Sequence, residues 1–107
     1  MQVLLNTDPH TDGSRQMAEH LQATVKEALG RFADHITRVE AHLSDANSHA
    51  KTNPDAIHCT LEARLVGLEP VVVSDHAGSA HQAIRGAVDK LQRAITTALA
   101  KRESRPT

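Results

Sequence analysis

Residues 79–101, SAHQAIRGAVDKLQRAITTALAK, decide how the rest of the chain is read. Apolar residues recur at Ala80, Ala83, Ile84, Ala87, Val88, Leu91, Ala94, Ile95, Ala98 and Leu99. Steps of three and four are the period of a helix, so the stretch predicts one long helix with a single buried face. Ser79 is the predicted N-cap, because its hydroxyl can accept from an otherwise unpaired amide. Gly78 suits the turn before it, and the basic run Lys101, Arg102, Arg105 suits the negative end of the helix dipole. At about 100° per residue, Lys90, Arg93 and Lys101 fall together on one flank of the buried face and Arg85 on the other. A helix of this kind can lie on a sheet and offer cations to a polyanion. The ordinary role of such residues, keeping a solvated face soluble, stands beside that reading.

Working back from this helix, Ile57–Leu65 alternates most clearly. Ile57, Cys59, Leu61, Ala63 and Leu65 point one way, and His58, Thr60, Glu62 and Arg64 the other, which predicts a strand with one wet face. Gly67 predicts a tight connection, after which Val71–Val73 begins a fourth strand and residues 75–78 lead into the final helix. Pro70 cannot donate to a ladder and belongs at a strand start or edge. Upstream, Ile36–Ser44 alternates Val39, Ala41 and Leu43 with Arg38, Glu40 and His42. The polar stretch 45–55 (DANSHAKTNPD) is a loop. A first helix is expected over about 14–31, with Met17, Leu21, Val25, Ala28, Leu29 and Phe32 as its apolar stripe, Asp12 or Ser14 as cap, and Gly30 weakening or ending it. Residues 2–6 form a short first strand and 7–14 a loop. The order β-α-β-β-β-α predicts an α+β fold: a two-layer sandwich in which both helices cover the apolar face of a four-stranded sheet. It is read as a single domain over 1–102 with a frayed tail at 103–107.

Composition narrows the function. The chain has 107 residues, 39% of them hydrophobic, 23% charged, and a formal net charge of -1. No global positive field draws it to nucleic acid, so any such binding must come from a local patch. With one Phe and no Tyr or Trp, it lacks the stacking platforms of single-strand binders. The single Cys59 excludes an internal disulfide and fits a reducing compartment. The opening MQVLLNTD has no basic n-region and too short an apolar run for a signal peptide, and no segment reaches the ~18 apolar residues of a membrane span. A cytoplasmic, membrane-free protein is the expectation.

Catalytic patterns are missing. Eight histidines, His10, His20, His35, His42, His49, His58, His76 and His81, show no HxxxH, HExxH or CxxC spacing, so no metal site is assigned. His42 and His58, on the wet faces of strands expected to pair, are candidate neighbours. Cys59 faces the core, where it behaves as a small hydrophobe. Asp8, Asp12, Asp75 and Asp89 read as caps and turns rather than paired catalytic acids. No glycine-rich phosphate cradle occurs. Neither an enzyme, a cofactor nor a small-molecule substrate is expected. What remains is a binding module whose cations are Lys26 and Arg31 from the first helix and Arg85, Lys90, Arg93, Lys101 and Arg102 from the second. Such a strip neutralises phosphates without reading sequence, and structured RNA is its better target.

Three stretches carry a family resemblance. MQVLLN (1–6) resembles the opening strand of the ribosome hibernation-promoting factors, the family that includes ribosome-associated inhibitor A (protein Y). ALGRFADHITRVEAHLSD (28–45) is similar to that family's helix end, Asp-His-Ile turn and alternating strand. AIRGAVDKLQRAI (83–95) is similar to its AID-xx-IDKL-xRQ signature. The resemblance covers roughly 1–101, to the family's short form. It implies a fold related in shape to double-stranded RNA-binding domains, and a translation inhibitor seated on 16S rRNA in the mRNA and tRNA channel of the small ribosomal subunit. It points to Lys26, Lys90 and Arg93 first as RNA contacts, then Arg31 and Lys101. The chain departs from the family at Ser79-Ala80-His81, where the family has Asp-Met-Tyr, and at Arg85, where an Asp is frequent. Glu19 and Glu27 interrupt the basic flank of the first helix, and loop 45–55 is longer. The alternative is a protein-interaction or self-associating module that kept the fold and presents His42, His58, Glu62 and Arg64 to a partner; oligomeric state is left open.

Overall fold

The computed structural model describes residues 1–8, 11, 13–45 and 56–104. The elements are β1 (Gln2–Thr7), α1 (Arg15–Leu29), a 3-10 segment (Gly30–His35), β2 (Ile36–Asp45), β3 (Ile57–Leu65), β4 (Val71–Ala77) and α2 (Ala80–Ser104). The sheet order is β1-β2-β3-β4. β1 runs parallel to β2, across the α1 connection, and the other two pairings are antiparallel. This is the expected β-α-β-β-β-α arrangement. Both helices lie on one face, because a single core joins Met17, Leu21, Val25 and Leu29 of α1 to Ile84, Val88, Leu91 and Ile95 of α2 over Val39, Leu43, Cys59 and Leu61.

Ser14 caps α1, its hydroxyl accepting from the Met17 amide at 3.1 Å; Asp12, the other candidate, and the loop residues 46–55 lie outside the described residues. Ser79 likewise accepts from the Gln82 amide at 3.2 Å. Gly30 ends the α-helix without reversing the chain: its φ is -56°, so the backbone tightens into the 3-10 turn. Phe32 therefore belongs to that turn, not to α1, and is half-buried against the core.

Three differences from the sequence expectation have physical causes. β4 does not stop at Val73. Ser74, Asp75 and His76 pair with Thr60, Cys59 and His58, carrying the strand to Ala77. A charged residue on the helix-covered side of a strand looks like a strand end in sequence; here Asp75 is tolerated because Lys90 of α2 reaches it. α2 continues to Ser104, where the Arg102 guanidinium donates to the Val66 carbonyl at 2.7 Å and ties the last turn to the β3–β4 connection. The connection itself needs Gly67, whose φ of +74° is the left-handed region that L side chains avoid. Finally, a bulge between Ile36 and Arg38 shifts the register of β2, which returns Ile36 to the core opposite Leu65.

Candidate nucleic-acid interface

Both helices present their outer sides away from the sheet, with a groove between them. The His20 ring on α1 meets the His81 ring on α2 edge-on, centroids 4.1 Å apart. At the other end, Arg31 beyond α1 shares a hollow of about 510 Å3 with Gln92, Arg93, Thr96 and Thr97 of α2. The helices therefore run in the same direction, His20 beside His81 and Arg31 beside Arg93. Arg85, one turn past His81, belongs to the first end. At 1.5 Å per residue, Arg85 and Arg93 stand about 12 Å apart along α2. The Arg31 guanidinium is also held over the Phe32 ring, 4.7 Å from its centroid, which limits the freedom of a long side chain.

The remaining predicted cations lie elsewhere. Lys26 faces the β1 side of α1, lining a separate hollow of about 550 Å3 with Met1, Gln2, Val3, Gln22, Gly30 and Ala33. Lys90 turns toward the edge of the sheet: its ammonium donates to the Ser74 carbonyl at 3.0 Å and pairs with Asp75 at 3.4 Å. Lys101 and Arg102 line a third hollow with Leu68, Glu69, Pro70, Val71 and Ala98. The structure thus brings Arg31, Arg85 and Arg93 to the groove and distributes Lys26, Lys90, Lys101 and Arg102 over the two outer flanks. Acidic residues punctuate the groove. Glu27 shares the helical stripe of His20 and Arg31, Asp89 precedes Arg93 by one turn, and both are exposed.

The groove's histidine end is electrostatically tense. Burial, then the positive fields of His81 and Arg85, hold the His20 imidazole below its ordinary pKa. Its Nε2 is buried and has no hydrogen-bond partner among the described residues. On the β4 flank, burial alone would raise the Asp75 carboxyl. Hydrogen bonds from the His76 backbone amide and the Lys90 ammonium, with the fields of Lys90 and His76, overcome that and hold it below its ordinary value. Cys59 beneath it is buried, its thiol pushed up to about 12 by burial and by Asp75. A nucleophile of that kind is inert at neutral pH.

Helical spacing set Lys90, Arg93 and Lys101 on one flank of α2 and Arg85 on the other; the structure instead separates Arg93 from Lys90 and Lys101 and puts it on the groove side with Arg85. His20, Gln92, Thr96 and Thr97 were missed as groove residues, since no spacing within one helix shows which side will meet the other. The candidate neighbours His42 and His58 are diagonal on the same face rather than directly opposed: the register pairs His42 with Thr60, and His58 with Ser44 and His76. Among the described residues, no three His, Cys, Asp or Glu side chains form a group able to hold a metal ion. Also among them, no helix is long and apolar enough to cross a membrane.

Such a chain is an α+β two-layer protein whose paired helices offer separated cations on the side away from the sheet. The family model described as sigma 54 modulation protein / S30EA ribosomal protein matches residues 7–103, and the chain belongs to that family. The family expected from residues 1–6, 28–45 and 83–95 is therefore the one found. In fold the chain is similar to the Thermus thermophilus Protein Y N-terminal domain, with TM-score 0.72 and 18% identity over 89% of this chain and 96% of that one. It is also similar to a ribosomal subunit interface protein from Coxiella burnetii, with TM-score 0.68 and 13% identity over 94% of this chain and 99% of that one. No curated protein matches the chain.

Proposed function

We propose that the chain is a non-enzymatic, ribosome-associated translation inhibitor of the hibernation-factor kind, binding 16S rRNA in the mRNA and tRNA channel of the small subunit. Family membership and the identity of its structural relatives, a Protein Y domain and a subunit interface protein, support the ribosomal setting. One observation carries the contact surface: Arg31 and Arg93, more than sixty positions apart in sequence, line one hollow between the helices with three neutral hydrogen-bonding side chains. Guanidinium groups with Gln and Thr neighbours suit phosphates and ribose hydroxyls, and the shortage of aromatics suits structured RNA. Arg85 extends this surface along α2. Lys26, Lys101 and Arg102 are peripheral contacts, and Lys90 serves the sheet edge at least as much as it serves RNA.

Co-sedimentation with small ribosomal subunits over a salt series tests this. Pelleting should be stoichiometric at low salt and fade as salt rises. The double variant R31E/R93E should bind more weakly, with its salt slope lower by about two units, one per lost phosphate contact. Unchanged binding in the double variant would remove the groove as the RNA surface. If the unaltered chain fails to pellet at low salt, a self-associating or protein-binding module replaces the ribosomal reading.

A further inference from the structure

We propose that His58 and His76 form a half-site for a tetrahedral divalent transition metal, zinc foremost, on the face of the sheet that the helices leave open. The proposal does not rest on the ribosomal reading. His58 and His76 are direct cross-strand partners on β3 and β4, and both are exposed. Their ring centroids stand 5.6 Å apart with planes tilted by 33°.

That separation is close to what chelation demands. Zinc holds imidazole nitrogen at about 2.0–2.1 Å, and a ring nitrogen lies about 1.1 Å from its ring's centre, so each centroid in a chelate is about 3.2 Å from the metal. Two rings at the tetrahedral angle then have centroids about 5.2 Å apart. Once one nitrogen of each ring is turned toward the shared metal, the centroids need to close by about 0.4 Å. Ligands at right angles, as in octahedral geometry, would require about 4.5 Å, so the smaller closure belongs to a tetrahedral metal. Each histidine gives the metal one ring nitrogen, and the other can keep a hydrogen-bond partner that orients the ring. The antiparallel ladder fixes the Cα atoms, so little backbone order has to be supplied on binding. His42, opposite Thr60, sits one row away along the same face. Since no group of three ligands converges among the described residues, water completes the coordination. An open shell of that kind exchanges metal, unlike the closed four-ligand shell of a structural zinc.

The experiment is calorimetric titration of zinc chloride into the full chain and into H58A, H76A and H42A, with circular dichroism confirming that each variant folds. One zinc per chain is expected to bind, at least about tenfold more weakly in H58A and in H76A, with H42A unchanged. Cobalt should give the intense visible absorption of a four-coordinate ion. The proposal is overturned if the unaltered chain takes up no zinc at millimolar metal, if H58A and H76A bind as well as it does, or if cobalt shows the weak octahedral spectrum.

Discussion

Replacing Gly86 by alanine probes how α2 is seated on the sheet. In an ordinary helix interior the change would add about 1 kcal/mol of stability, because alanine loses less backbone freedom than glycine. Here a Cβ at position 86 would stand 1.7 Å from Asp75 Oδ2 and 2.8 Å from its Cγ. Neither distance is tolerable, so the Asp75 carboxylate or the helix itself must move. Asp75 lies on the covered side of β4, opposite Cys59, and its carboxylate is held by Lys90. Moving it forfeits that pair, worth at most about 1 kcal/mol at this exposure, and overpacks the helix–strand contact, which typically costs about 1–3 kcal/mol. Set against the propensity gain, the balance is a loss of about 0–3 kcal/mol. In a domain near this size a loss of ~1 kcal/mol lowers Tm by about 4–8 °C. Thermal unfolding of four proteins measures it: the unaltered chain, G86A, D75A and the double variant. In the D75A background the clash is gone, and G86A should stabilise by about 1 kcal/mol, giving a coupling of about 1–4 kcal/mol. A rise in Tm for G86A in the unaltered background would refute the reasoning, because it would show that α2 and Asp75 are not in contact as described.

Two further outcomes follow from the titrating groups. His20 has a lowered pKa in the fold, so as pH falls through the ordinary imidazole value of about 6.5 the unfolded chain takes up its proton first. Stability is therefore highest above that value and is lost progressively below it. Urea midpoints at about pH 7.5 and about pH 5.5 should differ less in H20Q than in the unaltered chain, and an identical pH response in the two would count against this role. Cys59, with its thiol near 12 and its side chain in the core, should resist a thiol-reactive probe at neutral pH until the protein opens. Stoichiometric labelling of the native chain on mixing would contradict its burial.

Much of the framework was legible because it depends on local periodicity. The alternation of Ile57–Leu65 and the three-and-four spacing of residues 80–99 each report which side of an element leaves water, and burial follows them: Cys59, Leu61, Ile84, Val88 and Leu91 are all in the core. The caps were legible too, since Ser14 and Ser79 act on amides only three residues ahead. β4 was misread beyond Val73 because its later residues are polar, and only the β3 partner and Lys90 make an extended Asp75 acceptable.

The candidate site divides along the same line. Sequence alone determined the element order, the sided character of each helix and strand, the shortage of aromatics and the family motifs, because these are properties of neighbouring residues or of the whole composition. Only the tertiary structure decided that Arg31 and Arg93 share a hollow while Lys90 is drawn to the Ser74 carbonyl, and that His58 faces His76 rather than His42. Those outcomes turn on strand register and on how two helices settle side by side over a sheet. A shift of one residue in register or a modest rotation of α2 would change every such neighbour while leaving the amphipathic patterns intact.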